Sequence, residues 1–130
     1  MDIYPPAVQR PALLSFASAL SSASTALRRD ECGDWRILGT AGHVYAIPGG
    51  FLIIAKTGTV RGWGAVKRRL DFTTLQRDGD DEGAFILDRL PSVVEATEIR
   101  RALGIRKRAV YSVEQLAAMS GRFAPLPIAA

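Results

Sequence analysis

The run Phe51-Leu52-Ile53-Ile54-Ala55 is apolar on both alternating faces. It constrains the fold more than any other stretch, because a strand of this kind belongs inside a sheet, covered on both sides. Pro48-Gly49-Gly50 reads as the turn leading into it. Before that turn, His43-Val44-Tyr45-Ala46-Ile47 and Trp35-Arg36-Ile37-Leu38 read as two strands joined by the turn Gly39-Thr40-Ala41-Gly42, which completes a meander. Residues 72–77 and 84–88 read as a separate hairpin around the polar tip Asp78-Gly79-Asp80-Asp81-Glu82-Gly83.

Helical spacing frames these strands. After a Pro-rich extended lead over residues 1–10, Pro11 suits a first helical turn, where its missing N–H costs nothing. Leu13, Phe16, Leu20, Ala23 and Leu27 then recur in steps of three and four, with Arg28 and Arg29 in the last turn. So narrow a stripe on a Ser-rich helix needs a partner surface, either the domain itself or a second copy. Thr57 or Thr59 caps a second helix, whose stripe is Val60, Trp63, Val66, Lys67 and Leu70. Ser92-Val93-Val94-Glu95 is a capping box that opens a third helix, with Ala96, Ile99 and Leu103 facing the core and Gly104 ending it. A second box, Ser112-Val113-Glu114-Gln115, opens a short last helix. Pro125 and Pro127 belong to a fraying tail.

Strands clustered in hairpins give an α+β class. The expectation is a single α+β domain over residues 11–124 with an N-terminal helix. Its sheet is mainly antiparallel and five-stranded, a meander plus a hairpin, with helices packed on it. A chain of 130 residues can bury such a core without staples. Cys32 is the sole cysteine, which excludes an internal disulfide and a multi-cysteine zinc site and points to a reducing, cytoplasmic setting. No apolar run reaches the ~18 residues of a membrane span. Residues 13–26 are diluted by six Ser or Thr, and the start carries Asp2, Pro5, Pro6 and Arg10, so no secretory leader is expected.

Enzymatic chemistries find few candidates. Cys32 and His43 are the available nucleophile and base. With Leu38 opposite His43, Cys32 falls about six residues along the ladder, roughly 20 Å away at strand rise. The hairpin tip copies the opening of a calcium loop at Asp78, Asp80, Glu82 and Gly83, but Arg89 occupies the twelfth position, where a Glu belongs. Gly58 and Gly62-Trp63-Gly64 match no phosphate-cradling spacing. No enzyme, metal or cofactor is expected.

The charge pattern says more. The net charge is +4, and most of the excess lies after residue 90, which carries 6 Lys or Arg against 3 Asp or Glu. Arg100, Arg101, Arg106, Lys107 and Arg108, with Lys67, Arg68 and Arg69, would form one basic patch if two helix ends converge. Such a patch would meet phosphates of DNA or RNA without reading bases. The alternative is a protein-interaction module (a dimer, adaptor or inhibitor) using Leu13, Phe16, Leu20 and Leu27 and the acidic tip.

The blocks Leu27-Arg28-Arg29-Asp30-Glu31-Cys32-Gly33-Asp34, Gly42-His43-Val44-Tyr45-Ala46, Asp78-Gly79-Asp80-Asp81-Glu82-Gly83, Leu87-Asp88-Arg89-Leu90-Pro91 and Leu103-Gly104-Ile105-Arg106-Lys107-Arg108 are similar to small uncharacterised bacterial proteins. The similarity covers roughly residues 27–108. It implies a bacterial, cytoplasmic setting and carries over no site residue.

Overall fold

The computed structural model describes residues 5–22, 24–109 and 112–123. The chain runs α1 (Pro6–Leu20), a 3-10 turn (Ser24–Ala26), β1 (Leu27–Arg29), β2 (Trp35–Gly39), β3 (Gly42–Ile47), β4 (Gly50–Lys56), α2 (Val60–Arg69), β5 (Thr74–Asp78), β6 (Glu82–Leu87), α3 (Val93–Leu103) and α4 (Val113–Phe123). The class is α+β, and every strand pairing is antiparallel. The sheet has six strands in the order β1-β2-β3-β4-β6-β5, one more than expected. The extra strand is β1. Its Leu27 was read as the end of the first helix, but it pairs with Ile37 instead.

Two corrections concern α1. It opens at Pro6, capped by Pro5, so residues 6–10 are helical and Pro11 lies inside the helix. The earlier start brings Gln9 to a wholly buried position facing the first strands. Its amide donates to Asp34 Oδ1 (2.8 Å), and its oxygen accepts from Trp35 N–H (2.7 Å). A buried amide satisfied in this way joins helix to sheet without the cost of an unpaired polar group. At the other end Ser21 turns left-handed (φ 53°), and Ser22 N–H closes back on the Ala17 carbonyl. That break stops the apolar period before Leu27.

Strand alternation puts Ile37, Val44, Ile53 and Phe85 in one cross-strand row. This face meets α1, α2 and α3, with Phe16 against Phe51 and Trp63 against Phe85. Leu13, Phe16 and Leu20 are wholly buried there. The partner of the α1 stripe is therefore the domain itself, and these side chains are not free to form a dimer seam. Leu27 is only partly buried, on an edge strand.

The opposite face breaks the expectation for β4. The row Leu38, His43, Ile54, Ala84 and Arg77 lies there, beside Tyr45, Leu52, Ile86 and Thr74. The helices α1, α2 and α3 all pack on the other side. On this face Tyr45 and Ala84 are buried, Leu52, Ile54 and Ile86 are half-buried, and Leu38 is exposed.

Both capping boxes form. Ser92 Oγ accepts from Glu95 N–H while Glu95 Oε1 accepts from Ser92 N–H, and Ser112 and Gln115 repeat the exchange. Arg89 adds a two-pronged pairing to Glu95 (2.5 and 2.7 Å). Thr59 is the cap of α2, accepting from Gly62 N–H. Ser112 to Ala118 of α4 are all exposed.

The bond from Arg89, then the backbone bond at Ser92, depress the Glu95 carboxyl from 4.5 to about 2. A depressed native value makes the folded state the poorer proton binder, so the stabilisation is complete above pH 4.5 and fades as pH falls toward about 2. Glu95→Gln should lower Tm at pH 7, and the gap to the wild type should close across that acid window. A gap independent of pH would contradict the pairing. Two glycines give a second test. A Cβ on Gly39 would collide with the Leu103 carbonyl, whereas one on Gly64 would meet only the end of Arg68 at 3.6 Å. Gly39→Ala should cost about 1–3 kcal/mol by overpacking, and Gly64→Ala should gain about 0.5–1 kcal/mol of helix propensity. Urea midpoints report both.

Candidate nucleic-acid interface

The basic residues after α3 are placed by a close contact between helix and turn. The β2–β3 turn sends Ala41 N–H to the Leu103 carbonyl (2.9 Å) and Thr40 N–H to the Gly104 carbonyl (3.2 Å). Gly39 lacks a side chain where Leu103 O sits. Gly104 is left-handed (φ 65°) and meets Thr40 where a Cβ would be. Ile105 N–H returns to the Arg100 carbonyl, and Ile105 is buried. The chain therefore leaves α3 in one direction, with Arg106, Lys107 and Arg108 exposed.

The same segment holds the end of α1. Arg100 Nη1 donates to the Leu20 carbonyl (2.6 Å), and Arg108 N–H to the Ser21 carbonyl (2.6 Å). Ser22 and Lys107 form an antiparallel bridge. Carbonyls that would be orphaned at a helix end thus find donors from a distant part of the chain.

Two hollows flank the ridge Gly104–Ile105. One, of about 710 Å³, is an open groove with Ala26, Leu38 and Ile105 as its apolar sides, Thr25 and Thr40 supplying hydroxyls, and Arg106 as its cation. The other, of about 340 Å³, holds Arg100, Arg101 and Lys107 beside Thr97. Among the described residues no carboxylate lines either hollow. Nearby, Arg28 Nε donates to the Thr25 carbonyl (3.0 Å).

The convergence of two helix ends is only partial. Arg100, Arg101 and Lys107 share one hollow, Arg106 lines the other, and Arg108 follows next in the chain. The α2 end does not join on the same terms. Lys67 pairs with Asp78 of β5 (3.2 Å) and lies over the Trp63 ring, and Arg69 pairs with Glu98 of α3 (3.1 Å). Arg68 is exposed, with its guanidinium turned toward Gly64. Thr25, Thr40, Thr97 and Ile105 were not singled out from sequence. Only Ile105, an apolar residue amid Arg and Lys, carried a local signal.

The other candidates scatter. Asp78 accepts from Trp63 Nε1 (2.6 Å) as well as from Lys67, and these bonds hold its carboxyl below the usual range. Among the described residues no group of three or more His, Cys, Asp or Glu gathers to hold a metal. Cys32 is exposed and lines a hollow of about 210 Å³ with Asp30, Glu31, Arg36 and Tyr45. His43 sets its ring edge-on to Tyr45 instead, at 5.1 Å between centroids. Burial, then the charge of Arg36, press the His43 imidazole below its ordinary value, which favours the neutral ring. Burial and a 2.7 Å bond to Asp30 push the Tyr45 phenol up to about 12. Buried Arg36 Nε has no hydrogen-bond partner among the described residues. No described helix is long and apolar enough to cross a membrane.

Comparison with models of protein families, with curated proteins and with solved structures returns no match.

Arg100 and Arg101 are adjacent yet differently employed, which a substitution pair should reveal. Arg100→Ala uncaps the Leu20 carbonyl and should cost about 1–3 kcal/mol. Arg101→Ala removes an exposed charge and should stay within about 0.5 kcal/mol of the parent. Equal urea midpoints for the two variants would remove the capping role.

Proposed function

We propose that this chain is a non-enzymatic accessory protein that contacts nucleic acid, tolerant of sequence, through Arg100, Arg101, Arg106, Lys107 and Arg108. The observation that carries the reading is the pair of hollows that share Gly104–Ile105, with four cations and no carboxylate among the described residues that line them. Phosphates need only such donors at suitable spacing. Among the described residues neither hollow contains Asn, Gln, Asp or Glu, which leaves base readout to Arg and Lys alone and supports tolerance of sequence. Lys67 and Arg69 drop out of the contact set because Asp78 and Glu98 already offset them. Arg68 is a peripheral member. A lone exposed cysteine fits a reducing bacterial cytoplasm, the setting that the resemblance implies.

A second reading, a protein-interaction module, rests on a different observation. The sheet face bearing Leu38, Leu52, Ile54 and Ile86 has none of α1, α2 and α3 over it. Patches of this kind mark contact surfaces.

Fluorescence anisotropy with mixed-sequence oligonucleotides across a salt series separates the two. Under the first reading, binding weakens steeply with salt. Changing Arg101, Arg106 and Lys107 together to Ala should flatten the log–log slope by about 2–3. The control, Lys67→Ala with Arg69→Ala, should leave it nearly unchanged. Absence of binding at low salt would discard the first reading in favour of the second.

A further inference from the structure

We infer that the preferred ligand of this surface is single-stranded, with one unstacked base seated in the groove between the 3-10 turn and the β2–β3 turn. The inference rests on the nucleic-acid reading above and narrows it to one form of the polymer.

The two hollows differ in character although they share the wall Gly104–Ile105. The smaller is a polar, cationic depression suited to phosphate oxygens alone. The larger is bounded by Ala26, Leu38 and Ile105, three apolar side chains with no role in phosphate contact. Its volume of about 710 Å³ lies in the range of small-ligand sites. Leu38 remains exposed within it. An apolar groove with one cation at its margin, next to a cationic hollow, matches a nucleotide strand: a flat apolar base beside an anionic backbone. Thr25 and Thr40 also line the groove; the Thr40 hydroxyl donates to the Gly104 carbonyl (3.5 Å) and keeps its acceptor capacity for a base edge.

A duplex fits this surface less well. Its bases are paired and stacked inside, so its phosphates would reach Arg101 and Lys107 while the groove beside them stayed wet. Single strands splay bases out at no pairing cost, which is how sequence-tolerant binders gain from base contact. Among the described residues no aromatic ring lines the groove, so the contact they offer is aliphatic and weaker than ring stacking. Extrusion of a base from a duplex costs a few kcal/mol, more than such contact returns.

The test compares three ligands of equal length by anisotropy in low salt, using the full chain: a mixed-sequence single strand, its duplex, and a single strand of abasic sites. The single strand should bind about tenfold more tightly than the abasic strand, and more tightly than the duplex. Leu38→Ser, at an exposed position, should erase most of that margin while leaving the salt slope unchanged. Equal affinity for all three ligands would overturn the groove inference and leave the phosphate contacts standing. Binding to none of them would overturn both. The abasic comparison uses the unaltered protein, so it decides even if Leu38→Ser folds poorly.

Discussion

The contact between the β2–β3 turn and the end of α3 governs the rest. Two turn amides saturate the Leu103 and Gly104 carbonyls, and Gly39 lets the backbones approach to a distance that no side chain permits. This contact sets the exit direction of residues 105–108. They in turn supply Arg108 N–H to the end of α1 while Arg100 reaches Leu20. Three chain segments far apart in sequence thus meet at one corner. Loosening the turn or residues 100–108 would disturb the rest, since the turn caps the end of α3 and residues 100–108 cap the end of α1.

The corner also shows why cations collect there. The C-terminal ends of α1 and α3 both point their partial negative charge at it. Some positive charge is therefore structural, and Arg100 is its clearest case. Among the described residues, Arg101, Arg106 and Lys107 are exposed and no carboxylate is paired with them. That positive charge exceeds what the helix ends use, and the proposed ligand contact rests on it.

Local signals carried much of the fold. The two capping boxes, the turn at residues 39–42, the Leu38–His43 pairing and the interior position of β4 were all legible, because each depends on a few adjacent residues. What escaped depends on distant partners. Leu27 continues the helical period, and only the left-handed Ser21 and the pairing with Ile37 move it into a strand. Gln9 does not look like a core residue until Asp34 and Trp35 satisfy its amide. The uncovered face of β4 could not be foreseen from its own apolar pattern, since cover depends on where all the helices land. The site was half legible for the same reason: Arg106-Lys107-Arg108 is one run, whereas the pairing of Lys67 and Arg69 with Asp78 and Glu98 is tertiary.

The strand order has a consequence for how the molecule comes into being. Among the described residues β6 is the last strand, yet it lies inside the sheet, between β4 and β5. During synthesis the most apolar strand, β4, is therefore complete while its open side still waits for residues 82–87. A nascent or prematurely ended chain would present that unpaired edge to its neighbours, and an apolar edge is a template for pairing with the wrong chain. A chain stopped before residue 82 would therefore carry its unpaired edge next to β4, not at the rim of the sheet.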